Sequence, residues 1–155
     1  MSERVRDEPL SLDELLEETA GVDAGALAIF GGTIRAADDG RRISALDYDV
    51  HREMAEKAIR RIEGEIEARE GVLACRIVHR VGTVPAGEPS VYVVVRARHR
   101  PEAFAAARDG IDRVKAEAPI WKEEVHPDGG RRPFAPSEGT PLRTERDGPP
   151  ASAEP

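Results

Sequence analysis

The sequence predicts an α+β domain, with helices packed on one side of a mostly antiparallel sheet. Three observations predict it. The apolar patterns run in the order helix, strand, strand, helix, strand, strand, helix, so two strands flank each helix. From about Arg52 to Arg69, Met54, Ala58, Ile62 and Ile66 recur every four residues and, with Ile59, make one helical stripe. Val91 to Arg98 is valine-rich and is the strongest strand signal in the chain.

The elements follow in order. Leu10–Ala20 starts like a helix: Ser11 can cap, Glu14 completes an S-x-x-E box, and Leu10 can staple onto Leu15. Gly25–Phe30 is a short apolar run ending in Gly31-Gly32, read as a buried strand with a turn or close backbone approach at its end. Ile43–Val50 follows the turn-like Asp38-Asp39-Gly40 and reads as a second strand. The 52–69 helix ends at Gly71, the residue type a helix C-terminus favours. Leu73–Val81 alternates, with Leu73, Cys75, Ile77, His79 and Val81 on one face. The run from Pro85 to Pro89 is a turn. Pro101 suits a helix's first turn, and Ala103, Phe104, Ala107, Ile111 and Val114 supply an apolar face. Pro119 ends that helix, and an irregular segment follows in which Trp121 is expected to anchor to the core. Proline and glycine accumulate from Pro127 on while apolar residues become scarce. Residues 1–134 are therefore expected to form one domain and 135–155 a disordered tail.

Composition narrows the function. The chain has 155 residues, 39% of them hydrophobic but only 4% aromatic, so the core must be aliphatic and modest. A formal charge of -7 argues against nucleic-acid binding, which draws on broad basic surface. No apolar run approaches the roughly 18 residues of a membrane span, and the acidic N-terminus has no secretory h-region, so the expected location is cytoplasmic. The single cysteine, Cys75, permits no internal disulfide and lies on an apolar strand face, where a structural role is the ordinary one. His51, His79 and His126 show no ligand spacing, so no metal site and no resident cofactor is expected.

Against that acidic background, His99, Arg100, Lys115 and Lys122 fall within one short segment. His99 and Arg100 stand where a strand gives way to a helix whose unpaired N–H groups favour an anion. A charged pair at a strand end is, taken alone, ordinary solvated surface. Lys115 by itself is what a helix's last turn favours. Lys122 follows Ile120-Trp121, and a lysine held beside apolar surface can act as nucleophile or acid–base group. Arg35 follows Phe30-Gly31-Gly32-Thr33-Ile34, where glycines allow close backbone approach and an arginine can grip a phosphate.

Five pieces together resemble the catalytic (large) subunit of molybdopterin synthase: FGGTIR (30–35), LDYDVHREMAEKAI (46–59), IVHRVGTVPAGEPSVYVVV (77–95), HRPEAF (99–104) and VKAEAPIWKEE (114–124). The resemblance covers roughly residues 10–134. It implies a hammerhead-like fold dimerising through this subunit, with a small ubiquitin-like sulfur-carrier subunit at each end of a heterotetramer. It implies a sulfurtransferase of molybdenum cofactor biosynthesis. The substrate would be cyclic pyranopterin monophosphate, and sulfur would come from the carrier's C-terminal Gly-Gly thiocarboxylate. By the same resemblance Lys115 and Lys122 match the catalytic lysines, and Arg35, His99 and Arg100 match substrate-binding positions. Thr33 and Ile34 lie in the same loop, and Glu123 and Glu124 in the segment lining the pocket. An Arg, His and Lys cluster suits two anionic reactants. After Asp128-Gly129-Gly130 the family's aromatic residue is replaced by Arg131-Arg132-Pro133-Phe134, and an arginine reaching across the dimer could be Arg131, Arg132 or Arg143. The alternative reading is a non-catalytic phosphate-ligand-binding module on the same scaffold.

Overall fold

The computed structural model describes residues 2–133. Phe134, Arg143 and the 135–155 segment, of which a domain boundary and a tail were expected, lie outside the described residues.

Among the described residues ten strands and three helices run in the order β1 (Val5–Arg6), α1 (Leu12–Glu18), β2 (Ala26–Thr33), β3 (Ala37–Asp38), β4 (Arg41–Arg42), β5 (Ala45–Val50), α2 (Arg52–Glu67), β6 (Val72–Arg80), β7 (Gly82–Pro85), β8 (Pro89–Ala97), α3 (Arg100–Glu117), β9 (Ile120–Val125) and β10 (Arg131–Pro133). They make two four-stranded sheets, β1-β6-β8-β2 and β10-β9-β5-β7, and the small hairpin β3-β4. All pairings are antiparallel except β1 on β6.

Valine makes β8 the centre of the first sheet, with Val93, Val94 and Val95 fully buried. On one face α2 and α3 bring Ile59, Ile62, Ile66, Ala107, Ile111 and Val114 against Cys75, Ile77, Val93 and Val95. Each fully buried isoleucine there contributes roughly 1.5–3 kcal/mol. Gly110 lets α3 lie close, since a Cβ there would stand 3.1 Å from Val93 Cγ1. The other face is covered by α1, whose Leu15 packs on Val78 and Val94. Ser11 caps α1 as its residue type predicts, accepting from the Glu14 amide at 3.4 Å. The Glu14 carboxylate itself takes two bonds from Arg6.

The outer edge of β6 is closed residue by residue. The amides of Cys75 and Ile77 donate to Glu67 and Glu63 of α2, at 2.9 and 2.7 Å. Those of His79 and Val81 donate to the Arg4 and Arg6 carbonyls, each at 2.8 Å. Glu63 is buried and also takes Arg4 Nε at 2.8 Å.

Several expectations are corrected. Gly25–Phe30 is not a buried strand: β2 runs on through both glycines to Thr33 at the sheet's edge, leaving Leu27, Ile29 and Phe30 at 43%, 42% and 37% exposure. Leu73 turns outward because the β6–β8 register shifts between Val72 and Ala74. Met54 and Phe104, placed on apolar stripes by spacing, are 52% and 68% exposed. The segment after Pro119 is no irregular stretch but strand β9, which pairs with β5. Along it side chains alternate, so Ile120 rather than Trp121 packs on the core.

Candidate functional site

Pro119 breaks α3 and sends the chain back as β9, with the His51 amide donating to the Pro119 carbonyl at 3.1 Å. This corner brings Lys115, in the last turn of α3, near Lys122 on β9. Lys122 lies opposite Tyr48 of β5 and shares a strand face with Ile120 and Glu124. It is partly buried, and its ammonium is held below the usual lysine range. Burial is the main cause, followed by the positive charges of Lys115 and Arg35; Asp38 and Glu124 oppose the shift. A lysine so placed loses its proton more readily than an exposed one.

Arg35 lies just beyond β2, is 76% exposed at its side chain and reaches Asp38 at 3.4 Å. Thr33 is exposed at the irregular end of β2. Ile34, by contrast, buries its side chain, and its backbone is clamped by the Glu88 carbonyl at 3.0 Å and the Gly87 amide at 2.7 Å. Of this loop's three predicted positions, Thr33 and Arg35 expose their side chains and Ile34 buries its own.

The two glutamates part company. Glu124 is 2% exposed and faces Arg41 at 3.8 Å and His126 at 3.9 Å. Glu123 alternates to the opposite face of β9, where Arg131 lies 3.7 Å away while bonding Asp47 at 2.7 Å. Arg131 thus sits on the side away from Lys122.

His99 and Arg100 are exposed at the start of α3, and His99 makes no side-chain cap. Lys115 lies fifteen helical steps on from Arg100, about 22 Å at 1.5 Å per residue. The segment that looked like one cationic cluster is therefore two within a single chain: Arg35, Lys115 and Lys122 at one end of α3, and His99 and Arg100 at the other.

Tyr48 and His79 are the neighbours of Lys122 that motif reading passed over. Both are buried, and their rings meet edge-on with centroids 5.0 Å apart. Burial raises the Tyr48 hydroxyl's pKa, partly offset by its bond to Ser90. The available signal was alternation: Tyr48 falls between Asp47 and Asp49 in β5, and His79 on the core face of β6. Burial also pushes the Cys75 thiol up, which disfavours a thiolate nucleophile there. Among the described residues no group of three or more His, Cys, Asp or Glu could hold a metal ion, and no helix is long and apolar enough to cross a membrane.

Residues 5–117 match the family described as MoaE protein. The molybdopterin synthase catalytic subunit of Oryza sativa subsp. indica is 42% identical over 120 residues, covering 77% of this chain and 62% of the rice protein. The chain thus spans less than two thirds of that relative's length. The crystal structure of molybdopterin synthase from Staphylococcus aureus superposes with a TM-score of 0.80 at 30% identity, covering 86% of this chain and 96% of that one. A protein–protein complex of subunits 1 and 2 of molybdopterin-converting factor from Helicobacter pylori gives a TM-score of 0.72 at 25% identity, covering 90% of this chain and 93% of that one.

Proposed function

The chain belongs to the MoaE protein family, and from that premise we propose that it is the catalytic subunit of a molybdopterin synthase. In this reading it is a sulfurtransferase of molybdenum cofactor biosynthesis that converts cyclic pyranopterin monophosphate to molybdopterin. Sulfur arrives as the C-terminal thiocarboxylate of a small ubiquitin-like carrier, and the working assembly is a heterotetramer built on a dimer of this chain. The H. pylori complex of two subunits supports the carrier. The protein works in the cytoplasm, with residues 1–134 as the functional unit and 135–155 as an appended tail.

The observation that carries the reading is the state of Lys122. Its amine is partly buried, held below the usual lysine range, and flanked by Lys115 and Arg35. Such an amine can take up the carrier's carbonyl carbon or pass protons as oxygen leaves the substrate. Lys115 and Arg35 supply the positive field in which an incoming carboxyl terminus and a cyclic phosphate are both favoured. Thr33 borders that field; Glu124 lies buried on the same face of β9 as Lys122, with Arg41 3.8 Å and His126 3.9 Å away.

His99 and Arg100 join this site from a second copy. They stand about 22 Å from Lys115 along their own helix, beyond reach of one small substrate. A two-fold dimer that sets the start of one α3 beside the other chain's Lys115 and Lys122 completes two equivalent sites. Product formation from cyclic pyranopterin monophosphate and thiocarboxylated carrier tests the function. Turnover by wild type and its loss in folded Lys122→Ala is the expected result; normal turnover by Lys122→Ala would overturn the lysine's role.

A further inference from the structure

His79 is a buried titratable group that the chemistry just described does not use. It lies near the end of β6, 8% exposed, with Val91 of β8 and then Gly32 of β2 beside it in the sheet. Its Nδ1 is 2.7 Å from the Arg80 carbonyl oxygen. A carbonyl oxygen only accepts, so Nδ1 carries the hydrogen, and in the neutral ring Nε2 carries the lone pair. The ring meets Tyr48 at an interplanar angle of 74° with centroids 5.0 Å apart. Tyr48 is bonded through its hydroxyl to Ser90, whose Oγ donates to the Gly32 carbonyl at 3.3 Å. Tyr48 is also the residue directly opposite Lys122.

Charge agrees with this geometry. Burial keeps the ring unprotonated down to about pH 4; the Arg80 bond works against that, while the charges of Lys122 and Lys115 add to it. A protonated His79 would be one more cation beside Lys115, Lys122 and Arg35.

We infer that His79 is a positioning residue for Lys122: locked on the Arg80 carbonyl and set edge-on against Tyr48, its ring fixes the Tyr48–Lys122 strand pair and keeps water away from the lysine. The inference rests on the reading that Lys122 is a reacting group. The charged groups bearing on Lys122 come from four places: Lys115 on α3, Arg35 after β2, Asp38 on β3, and Glu124 on β9. His79 on β6 and Tyr48 on β5 are the neutral titratable groups beneath it.

The test uses the full chain, with and without the thiocarboxylated carrier. In His79→Asn the side-chain amide keeps a donor for the Arg80 carbonyl but removes the ring from Tyr48. Lys122 is titrated by NMR of its side-chain methylene next to the amine. The expected result is a Lys122 titration moved up toward that of an exposed lysine. With carrier and substrate, kcat falls about 10- to 100-fold while KM stays within about twofold. A merely structural role would scale activity at every pH without moving the lysine. A folded His79→Asn whose Lys122 titrates as in wild type overturns the inference. Should that variant not fold, the ring nitrogens of wild-type His79 decide. A neutral Nδ1–H tautomer through pH 6 supports it, and a ring that gains a proton near pH 6.5 overturns it. The lysine titration needs no turnover, so it stands apart from failure of the proposed activity.

Discussion

Tyr48 and Lys122 face each other across β5 and β9, the aromatic residue buried and the lysine opposite it partly buried. This pairing ties the surroundings of one amine to the packing of the second sheet.

Removing Lys122 as Lys122→Ala should cost about 10²–10⁴-fold in product formation, the range of a lost acid–base or nucleophilic group. The variant should melt close to wild type, which circular dichroism checks. Lys115→Ala should act differently at the level of charge. With one positive neighbour gone, the Lys122 ammonium is easier to keep, so its pKa should rise. A Lys122 titration unmoved in Lys115→Ala would separate the two lysines.

Mixing two inactive variants tests whether each site draws on two chains. Lys122→Ala and Arg100→Ala should each fail alone. Mixed dimers formed by refolding them together regain one intact site of two. Random pairing makes about half the dimers mixed, so activity should recover to about a quarter of wild type. Recovery no greater than the sum of the separate variants would show that Arg100 of one chain does not serve Lys122 of the other.

Glu63 and Arg4 form a buried pair in which burial raises the Glu63 pKa. Glu63→Gln keeps an acceptor for the Ile77 amide but strands the Arg4 charge. The expected loss is about 3–5 kcal/mol, read from the urea midpoint. The same change at Glu123, whose side chain on the other face of β9 is 27% exposed beside Arg131, should cost less, about 1 kcal/mol.

His79 also sets a dependence of stability on pH. Its folded pKa is depressed from 6.5 to about 4, so between those values the unfolded chain binds a proton that the folded chain refuses. Stability from this group is intact above pH 6.5 and falls as pH drops toward 4, by up to about 1.4 kcal/mol per unit. Urea unfolding from pH 7 to pH 4 should show this slope in wild type and a shallower one in His79→Asn.

Much of the fold was legible in the sequence because local signals and tertiary packing agreed. The α2 stripe of Ile59, Ile62 and Ile66 is the buried face, and valine-rich β8 is the sheet's centre. Legibility failed where tertiary placement overrode spacing. Phe104 repeats with Ala103 and Ala107 yet points outward, because the face of α3 that meets β8 is lined by Ala103, Ala106, Ala107 and Gly110. Leu73 kept its alternation on paper and lost it to a register shift. At the site, Lys122 and Arg35 could be picked out by motif. That α3 holds His99 and Arg100 far from Lys115 follows from helix length, which was already readable from Pro101 and Pro119.

The two edges of the first sheet are unlike, and this limits what the sheet can become. Along β6 the amides from Cys75 to Val81 are spoken for by α2 glutamates and by β1, while β2 closes the sheet with no strand beyond it among the described residues. A sheet with a single free margin can be continued once. Should two chains join there, neither keeps a margin to offer a third. Growth of this one sheet by strand addition at β2 therefore ends at a pair.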